Sequence, residues 1–393
     1  MSLALLNPEI QKFITANINA NSTELAFQKN PFPNIDWKDI INQIVTKQKA
    51  KGKLPSWYTK ENIIYPSKIS LEQTSSEITA IYKSSLVFGD SLIDLTGGFG
   101  VDDFFFSKTI KHVTHCEIDE ELSKIVTHNF SQFNIANCDF IVGDGQQILE
   151  DLNQKLDWIY IDPSRRNDTK GKVFMLKDCS PNVPELMDFY FNYSSNILIK
   201  TAPILDISAG VLELKNVKEI HVVAVENEVK ELLWILEKGY SNPIKIMAVN
   251  ILKTNTETYF SSIPETVLHV NYNFPKKYLY EPNSAIMKSG LFNSVATTFK
   301  IEKLHQNSQL YTSTTLIDFP GRIFEIISIH PYNKNEMKTL LENKKANITI
   351  RNFPETVENI RKKWKIKDGG NTYCFFTTDK NNNKIVLLCT KLK

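Results

Sequence analysis

Between residues 89 and 254 short runs of consecutive apolar residues recur: SLIDL, HVTHCEI, CDFIVGD, LDWIYID, NILIK, EIHVVAV and IKIMAVNIL, with stretches of helical character between them. Strands this apolar along their length must be covered on both faces, and helical crossovers join neighbouring strands in parallel. The segment therefore predicts a doubly wound α/β domain on a mainly parallel sheet of seven strands, over residues 86–262. Such sheets bind ligands outside the carboxyl ends of their strands. The residues that end each run are thus the first candidates for chemistry.

On either side the pattern changes. Ile10, Phe13 and Ile14, then Ile40, Ile41, Ile44 and Val45, recur at helical spacing and predict a helical N-terminal region over residues 1–85. Ser70, followed by Leu71, Glu72 and Gln73, is expected to cap one further helix whose Ile78, Ile81 and Tyr82 face inward. Pro264, Pro275 and Pro282 mark a linker and connector over 263–320, with a short helical piece around 283–299. Strand, helix, strand, helix, strand, strand over 321–393 predicts a small α+β domain.

Composition narrows the class. With 393 residues, 42% of them hydrophobic and 23% charged, the chain is a folded protein of more than one domain, which excludes a small disulfide scaffold and wholesale disorder. Forty-six basic against 44 acidic residues leave +2, which neither favours nor excludes a polyanionic partner. Basic residues do gather in Lys344, Lys345, Arg351, Arg361, Lys362, Lys363, Lys365 and Lys367. A solvated helix face accounts for such a cluster in most proteins, and a nucleic-acid contact is the other reading. Five scattered cysteines with no C-x-x-C spacing point to a reducing cytosol and to neither disulfides nor a metal site. The first residues lack a basic segment and soon meet Glu9, and no apolar run reaches the ~20 residues of a membrane span. A cytoplasmic location without membrane contact is expected.

The first strand of the α/β segment runs into SLIDLTGGFGVDD, an acidic strand end followed by a glycine-rich turn and a helix. A dinucleotide fingerprint begun at Gly98 and Gly100 would place Asp103 at its third position, too large and charged for close helix packing, so a nicotinamide cofactor is disfavoured. Asp94 would repel a pyrophosphate but could receive an ammonium group. Asp94, Thr96, Gly97, Gly98 and Gly100 resemble motif I of class I S-adenosylmethionine methyltransferases. Glu117 follows about 20 residues later, where a carboxylate can accept both ribose hydroxyls, with Ile118 against an adenine face and Asp144 as acceptor for its amino group. Each carboxylate alone could be an ordinary strand-end polar residue; three in order favour a nucleoside cofactor.

The fourth strand ends in DPSRR, near the D-P-P-Y motif of many methyltransferases but with Ser164 and Arg165 in place of its second proline and aromatic residue. Asp162, Pro163, Ser164 and Arg165 are the candidate catalytic residues, and Arg165 or Arg166 could stack on a base or hold a phosphate. A structural Asp-Pro turn carrying two surface arginines is the alternative. The fifth strand, NILIK, brings no cysteine, so C5-pyrimidine methylation would need Cys179 as its thiolate, and a nitrogen or oxygen acceptor is favoured. Asp162, Lys200 and Glu226, with Lys83 as a weaker fourth, could instead form part of the Lys-Asp-Lys-Glu tetrad of ribose 2′-O-methyltransferases.

Taken together, LEQTSSEITAIYKSSLVFGDSLIDLTGGFGVD, the DPSRR loop, KYLYEPNSAIMKSG and RNFPETVENIRKKWKIKDGGNTYCFFTT resemble one bacterial family, class I methyltransferases with a THUMP-like C-terminal domain. The resemblance covers nearly everything after about Pro66. It implies the class I fold, with KYLYEPNSAIMKSG in a ferredoxin-like connector and the end of the chain in a THUMP-like domain. It also implies S-adenosylmethionine as cofactor and RNA as partner, with tRNA the leading candidate. A non-catalytic RNA-binding protein on a vestigial fold, and a small-molecule or protein methyltransferase, are the rival readings.

Overall fold

The structure, a computed structural model, describes residues 3–165 and 175–393, without the side chains of Leu3 and Arg165. It falls into two compact units, residues up to 218 with 233–241, and 219–232 with 242–393.

The first unit opens with helices α1 (Pro8–Ala16), α2 (Ser22–Ala26), α3 (Trp37–Lys53), α4 (Pro55–Thr59), α5 (Lys68–Gln73) and α6 (Glu77–Ser84). Asn7 and Asp36 cap α1 and α3 by accepting amides of their first turns. The expected helical spacing is realised: Ile10, Ile14, Ile40 and Ile44 share one buried cluster with Leu5 and Leu25. The single helix expected after Ser70 is instead two. Ser70 lies inside α5, which Ser67 caps, and Ser76 caps α6. Ile78 and Ile81 face outward, and α6 buries Ala80 and the side chain of Lys83. A buried ion pair, described below, orients that helix against the apolar periodicity.

Five parallel strands follow: β1 (Ser91–Asp94), β2 (His112–Glu117), β3 (Cys138–Val142), β4 (Leu156–Ile161) and, beyond the short antiparallel pair β5 (Ser164–Arg165) and β6 (Cys179–Ser180), β7 (Ser194–Thr201). Their order is β7-β4-β1-β2-β3, with helices α7 (Val101–Phe106), α8 (Glu120–Gln132), α9 (Gly145–Leu152) and α10 (Val183–Tyr190) between them in sequence and α11 (Ile207–Glu213) after β7. The parallel registers bring the ends of β1, β2 and β4 together, Asp94 pairing with His115 and Tyr160.

All seven apolar runs are strands, including β8 (Val217–Val225) and, later, β10 (Lys245–Ile251). The stretch between those two, expected to be a helical crossover, is the strand β9 (Glu228–Glu237). Residues 231–236 are all buried, which suits a strand covered on both faces and not a surface helix. Glu226 and Asn227 both have positive φ, 49° and 63°, as a two-residue hairpin turn requires.

In the second unit β10 runs parallel to β8 and antiparallel to β11 (Thr256–Ser261). A seven-stranded sheet then forms from β12 (Tyr278–Pro282), β13 (Glu302–Lys303), β14 (Tyr311–Ser313), β15 (Gly321–Pro331), β16 (Asn347–Ile350), β17 (Tyr373–Thr378) and β18 (Lys384–Lys391), in the order β13-β14-β12-β15-β18-β17-β16. Helices α12 (Ser284–Ser289) and α13 (Phe292–Phe299) follow β12, and α14 (Lys334–Leu341) and α15 (Val357–Trp364) flank β16. Met337, Leu341, Ile360 and Trp364 of α14 and α15 close one core with Cys374, Phe376 and Val386 of β17 and β18. Strand β12 lies where proline spacing suggested a connector. It forms because Leu279 and Tyr280 are fully buried between β14 and β15.

Candidate functional site

In the first unit the chain leaves β1 at Asp94 and turns through the glycine loop into α7. Asp94 is buried, and its Oδ1 accepts both the amide of Thr96 at 2.7 Å and its hydroxyl at 3.0 Å. That hydroxyl in turn accepts the amide of Asp162 at 2.8 Å. Thr96 thereby ties the glycine loop to the end of β4. Gly97 donates its amide to the Cys116 carbonyl at 2.8 Å, and a Cβ there would sit 2.2 Å from the His115 imidazole. Gly100 starts α7 at φ 71°, where a side chain would also strike Val126.

A dense set of buried charges underlies this loop. His115 Nδ1 lies 2.6 Å from Asp103 Oδ2, with neither side chain exposed. The other Asp103 oxygen is buried with no hydrogen-bond partner among the described residues. Burial, then mutual repulsion among Asp94, Asp103 and Asp102, pushes the Asp94 and Asp103 carboxyls well above the usual range. Burial lowers His115, so its imidazole stays neutral. Burial alone would also raise Asp102, but Lys83, Lys200 and hydrogen bonds from Tyr160 and Ser75 outweigh it and hold that carboxyl below its ordinary value. Lys83 stands 3.3 Å from Asp102, and Ser75 and Tyr160 each donate to it at 2.8 Å.

The ends of β2 and β3 form an adjoining rim. Glu117 accepts the amide of Gly98 at 2.9 Å through Oε2 and that of Asp119 at 2.8 Å through Oε1. Each oxygen keeps a further lone pair. Ile118 is 73% exposed and Val142, the register partner of Glu117, is 48% exposed, so two apolar side chains stand in water at neighbouring strand ends. Asp144 uses Oδ1 to cap α9, accepting the amides of Gln146 at 3.0 Å and Gln147 at 3.2 Å. Gly145 lets α9 approach β1, since a Cβ would lie 2.5 Å from the Leu95 carbonyl.

At the end of β4 the Asp162 carboxylate is about one-third exposed and forms an ion pair with Lys200, from the end of β7. Pro163 is buried and Ser164 is exposed. Ser164 and Arg165 pair in register with Ser180 and Cys179, while Arg166 lies outside the described residues. The sulfur of Cys179 is buried and directed at the Met175 carbonyl, 3.7 Å away, which does not suit an attacking thiolate. Lys83 is committed to Asp102, and Glu226 to the backbone amide of Lys253 at 2.7 Å. Of the tetrad considered from sequence, the structure pairs Lys200 with Asp162. Sequence reasoning missed Asp103, His115 and Tyr160. The one available signal was that Asp103 departs from the dinucleotide pattern.

A crystal structure from Porphyromonas gingivalis W83, described as that of a candidate methyltransferase, aligns over 98% of each chain with 30% identity and a TM-score of 0.87. Family models for a ferredoxin-like domain and a THUMP-like domain match residues 278–320 and 321–391. An uncharacterized RNA methyltransferase of Clostridium acetobutylicum is 33% identical over 105 residues, 25% of this chain and 23% of its own. One from Clostridium tetani is 32% identical over 102 residues, 26% of this chain and 21% of its own. These matches span less than a quarter of either curated relative. The full-length likeness to the Porphyromonas protein and the two domain matches lead to one conclusion: the chain belongs to the S-adenosylmethionine-dependent methyltransferases that end in a ferredoxin-like and a THUMP-like domain.

Proposed function

We propose that this protein transfers a methyl group from S-adenosylmethionine to RNA, with tRNA the favoured class and a base nitrogen the favoured acceptor. The observation that carries the reading is the Asp162 carboxylate, reachable from solvent, held by Lys200 and joined through its own amide to Thr96 and Asp94. The glycine loop and the acceptor side are thus one rigid piece.

The residues present fit the cofactor. Glu117 has a free lone pair on each oxygen for the ribose hydroxyls, Ile118 and Val142 offer apolar surface to adenine, and the second oxygen of Asp144 remains for its amino group. Thr96, Gly97, Gly98 and Gly100 shape the turn, and Asp94 acts from beneath it as a buried acidic anchor. S-adenosylmethionine, when bound, supplies a sulfonium methyl open to in-line displacement. Positioning of the acceptor can then account for roughly 7–11 kcal/mol of barrier. Asp162 accepts an N–H of the acceptor amine and turns its lone pair toward the methyl, while Lys200 fixes the carboxylate's orientation. Pro163, Ser164 and Arg165 form the lip over which a base would enter.

The same Lys200–Asp162 pair could act on a ribose 2′-hydroxyl, and this is the second reading. In either case residues 86–262 serve as the catalytic domain and 321–393 as the RNA-docking domain. Lys362, Lys363, Lys365 and Lys367 stand exposed on and just after α15, and the curated relatives named as RNA methyltransferases support the substrate class.

The test is transfer of labelled methyl from S-adenosylmethionine to total RNA from a strain lacking the gene, with wild-type and Asp162→Ala protein in parallel. Incorporation by wild type alone is expected, with cofactor affinity unchanged by calorimetry. Nucleoside digestion then separates base from ribose. No incorporation by either protein would overturn the RNA reading, and equal loss of cofactor binding in the variant would remove Asp162 from its role.

A further inference from the structure

Two of the segments that carry the family resemblance, KYLYEPNSAIMKSG and RNFP, converge on one cavity of the second unit. Glu281, in β12, is buried and lies directly opposite Arg322 on β15. The Arg322 Nε donates to Glu281 Oε2 at 2.6 Å, and Arg351, the residue after β16, donates through Nη2 to Oε1 at 2.7 Å. Gly321 permits this closure, since a Cβ there would sit 2.2 Å from the Glu281 carbonyl. The two guanidiniums, each about one-third exposed, form walls of a cavity of about 360 Å³ with Asn227, Ser284 and Lys288.

The charge and the unmet hydrogen bonds of this cavity point the same way. Two arginines against one carboxylate leave it net positive. The hydroxyl of Ser284 and the Nε of Arg351 are both buried without a hydrogen-bond partner among the described residues. Buried polar groups are almost always paired, and both of these can donate. A cation would be repelled and an apolar group would leave both donors unmet. A tetrahedral anion with several acceptor oxygens answers both, and paired guanidiniums suit it geometrically. The volume exceeds that of a bare oxyanion and admits an attached sugar.

We propose that this cavity is a phosphate-binding site that takes a sugar-phosphate of the RNA and so fixes the substrate on the second unit. The phosphate chemistry stands on the cavity alone, whereas its RNA source rests on the function proposed above. Glu281 holds the guanidiniums in place and competes with the ligand for them, which gives its substitution a distinctive sign.

The experiment uses the full chain and two probes, ribose 5-phosphate with ribose as control, and fluorescein-labelled total tRNA. Variants are Glu281→Gln, which frees the guanidiniums, and Glu281→Gln/Arg351→Gln, which leaves no buried carboxylate unpaired. The expected results are binding of ribose 5-phosphate but not ribose, tighter binding by Glu281→Gln, and at least tenfold weaker binding by the double variant at a retained melting transition. For tRNA the double variant should lose about tenfold in affinity, with a salt slope shallower by roughly 0.7–0.9. Failure of the wild type to bind ribose 5-phosphate, or binding that ignores both substitutions, overturns the site. Binding of ribose 5-phosphate through the cavity by a protein that binds no tRNA supports the phosphate site and removes its RNA source. Binding of tRNA that neither substitution changes overturns the cavity as an RNA subsite and leaves the RNA reading intact.

Discussion

Lys83 has no exposed side-chain surface and faces Asp102 across 3.3 Å. Removing one member of a buried pair leaves the other charge without compensation, at a cost of about 3–5 kcal/mol. Lys83→Met should therefore destabilise the protein by that order, read as a shift in the urea midpoint at constant slope. Asp102→Asn in the same chain should restore part of the loss, because the buried Asp102 charge that Lys83 had compensated is then gone. Asp102 is held below its ordinary pKa, so its contribution is present above the unfolded value of about 4 and fades as the pH falls through the folded one. A Lys83→Met protein as stable as wild type would show that the pair contributes nothing.

The Asp94 and Asp103 carboxyls have the opposite sign. Both are pushed up by burial and by neighbouring acids, so the folded state keeps a proton that the unfolded chain loses above about pH 4. Stability of the cofactor-free protein should thus fall as the pH rises through the folded pKa of the pair, by about 1.4 kcal/mol per pH unit for each proton retained. His115, lowered by burial, works the other way below about pH 6.5, where only the unfolded chain binds its proton. The difference between wild type and Asp94→Asn isolates the pair. The variant should show a flatter decline above about pH 4, measured by melting temperature across pH; parallel curves would refute the raised pKa of the pair.

These buried groups also mark the boundary of what the sequence conveys. The apolar runs were legible because burial on both faces leaves a strand no room for polar alternation, and the glycine loop because close backbone approach forbids other residues. Glu117, Ile118 and Asp162 could be found by their place at strand ends. Strand β9 was not legible: EVKELLWILE has charged ends around an apolar centre, which suits a helix or a strand equally until its neighbours are known. Strand β12 was obscured by the prolines around it. Lys83 was considered as a weaker fourth member of a tetrad, and its burial against Asp102 on a helix could not be read from the sequence. Asp103 and His115 meet only through the fold, twelve residues apart on α7 and β2, and no local pattern announces such a pair.

The packing of His115 beneath Gly97 gives a test of the loop itself. A methyl group on Gly97 would lie 2.2 Å from the imidazole, well inside contact distance. Gly97→Ala should cost about 1–3 kcal/mol through overpacking and weaken S-adenosylmethionine binding by displacing the turn. His115→Ala opens the space, so Gly97→Ala/His115→Ala should be more stable than the sum of the single effects predicts, a positive coupling in a double-mutant cycle. Strict additivity would mean that the clash is relieved elsewhere.

Ile118 separates cofactor recognition from stability. Its side chain is 73% exposed, so replacing it should leave the melting temperature almost unchanged. If it covers one face of adenine, the apolar area it loses from water on binding is worth about 1–2 kcal/mol, close to a tenfold change in affinity. Ile118→Asp should therefore raise the dissociation constant for S-adenosylmethionine by at least that factor in calorimetry, and Ile118→Leu should scarcely change it. Glu117→Gln provides the contrast, because its carboxylate also holds the amides of Gly98 and Asp119 and its loss should disturb both affinity and the loop. An Ile118→Asp protein that binds as tightly as wild type would place adenine elsewhere, away from the neighbouring ends of β2 and β3.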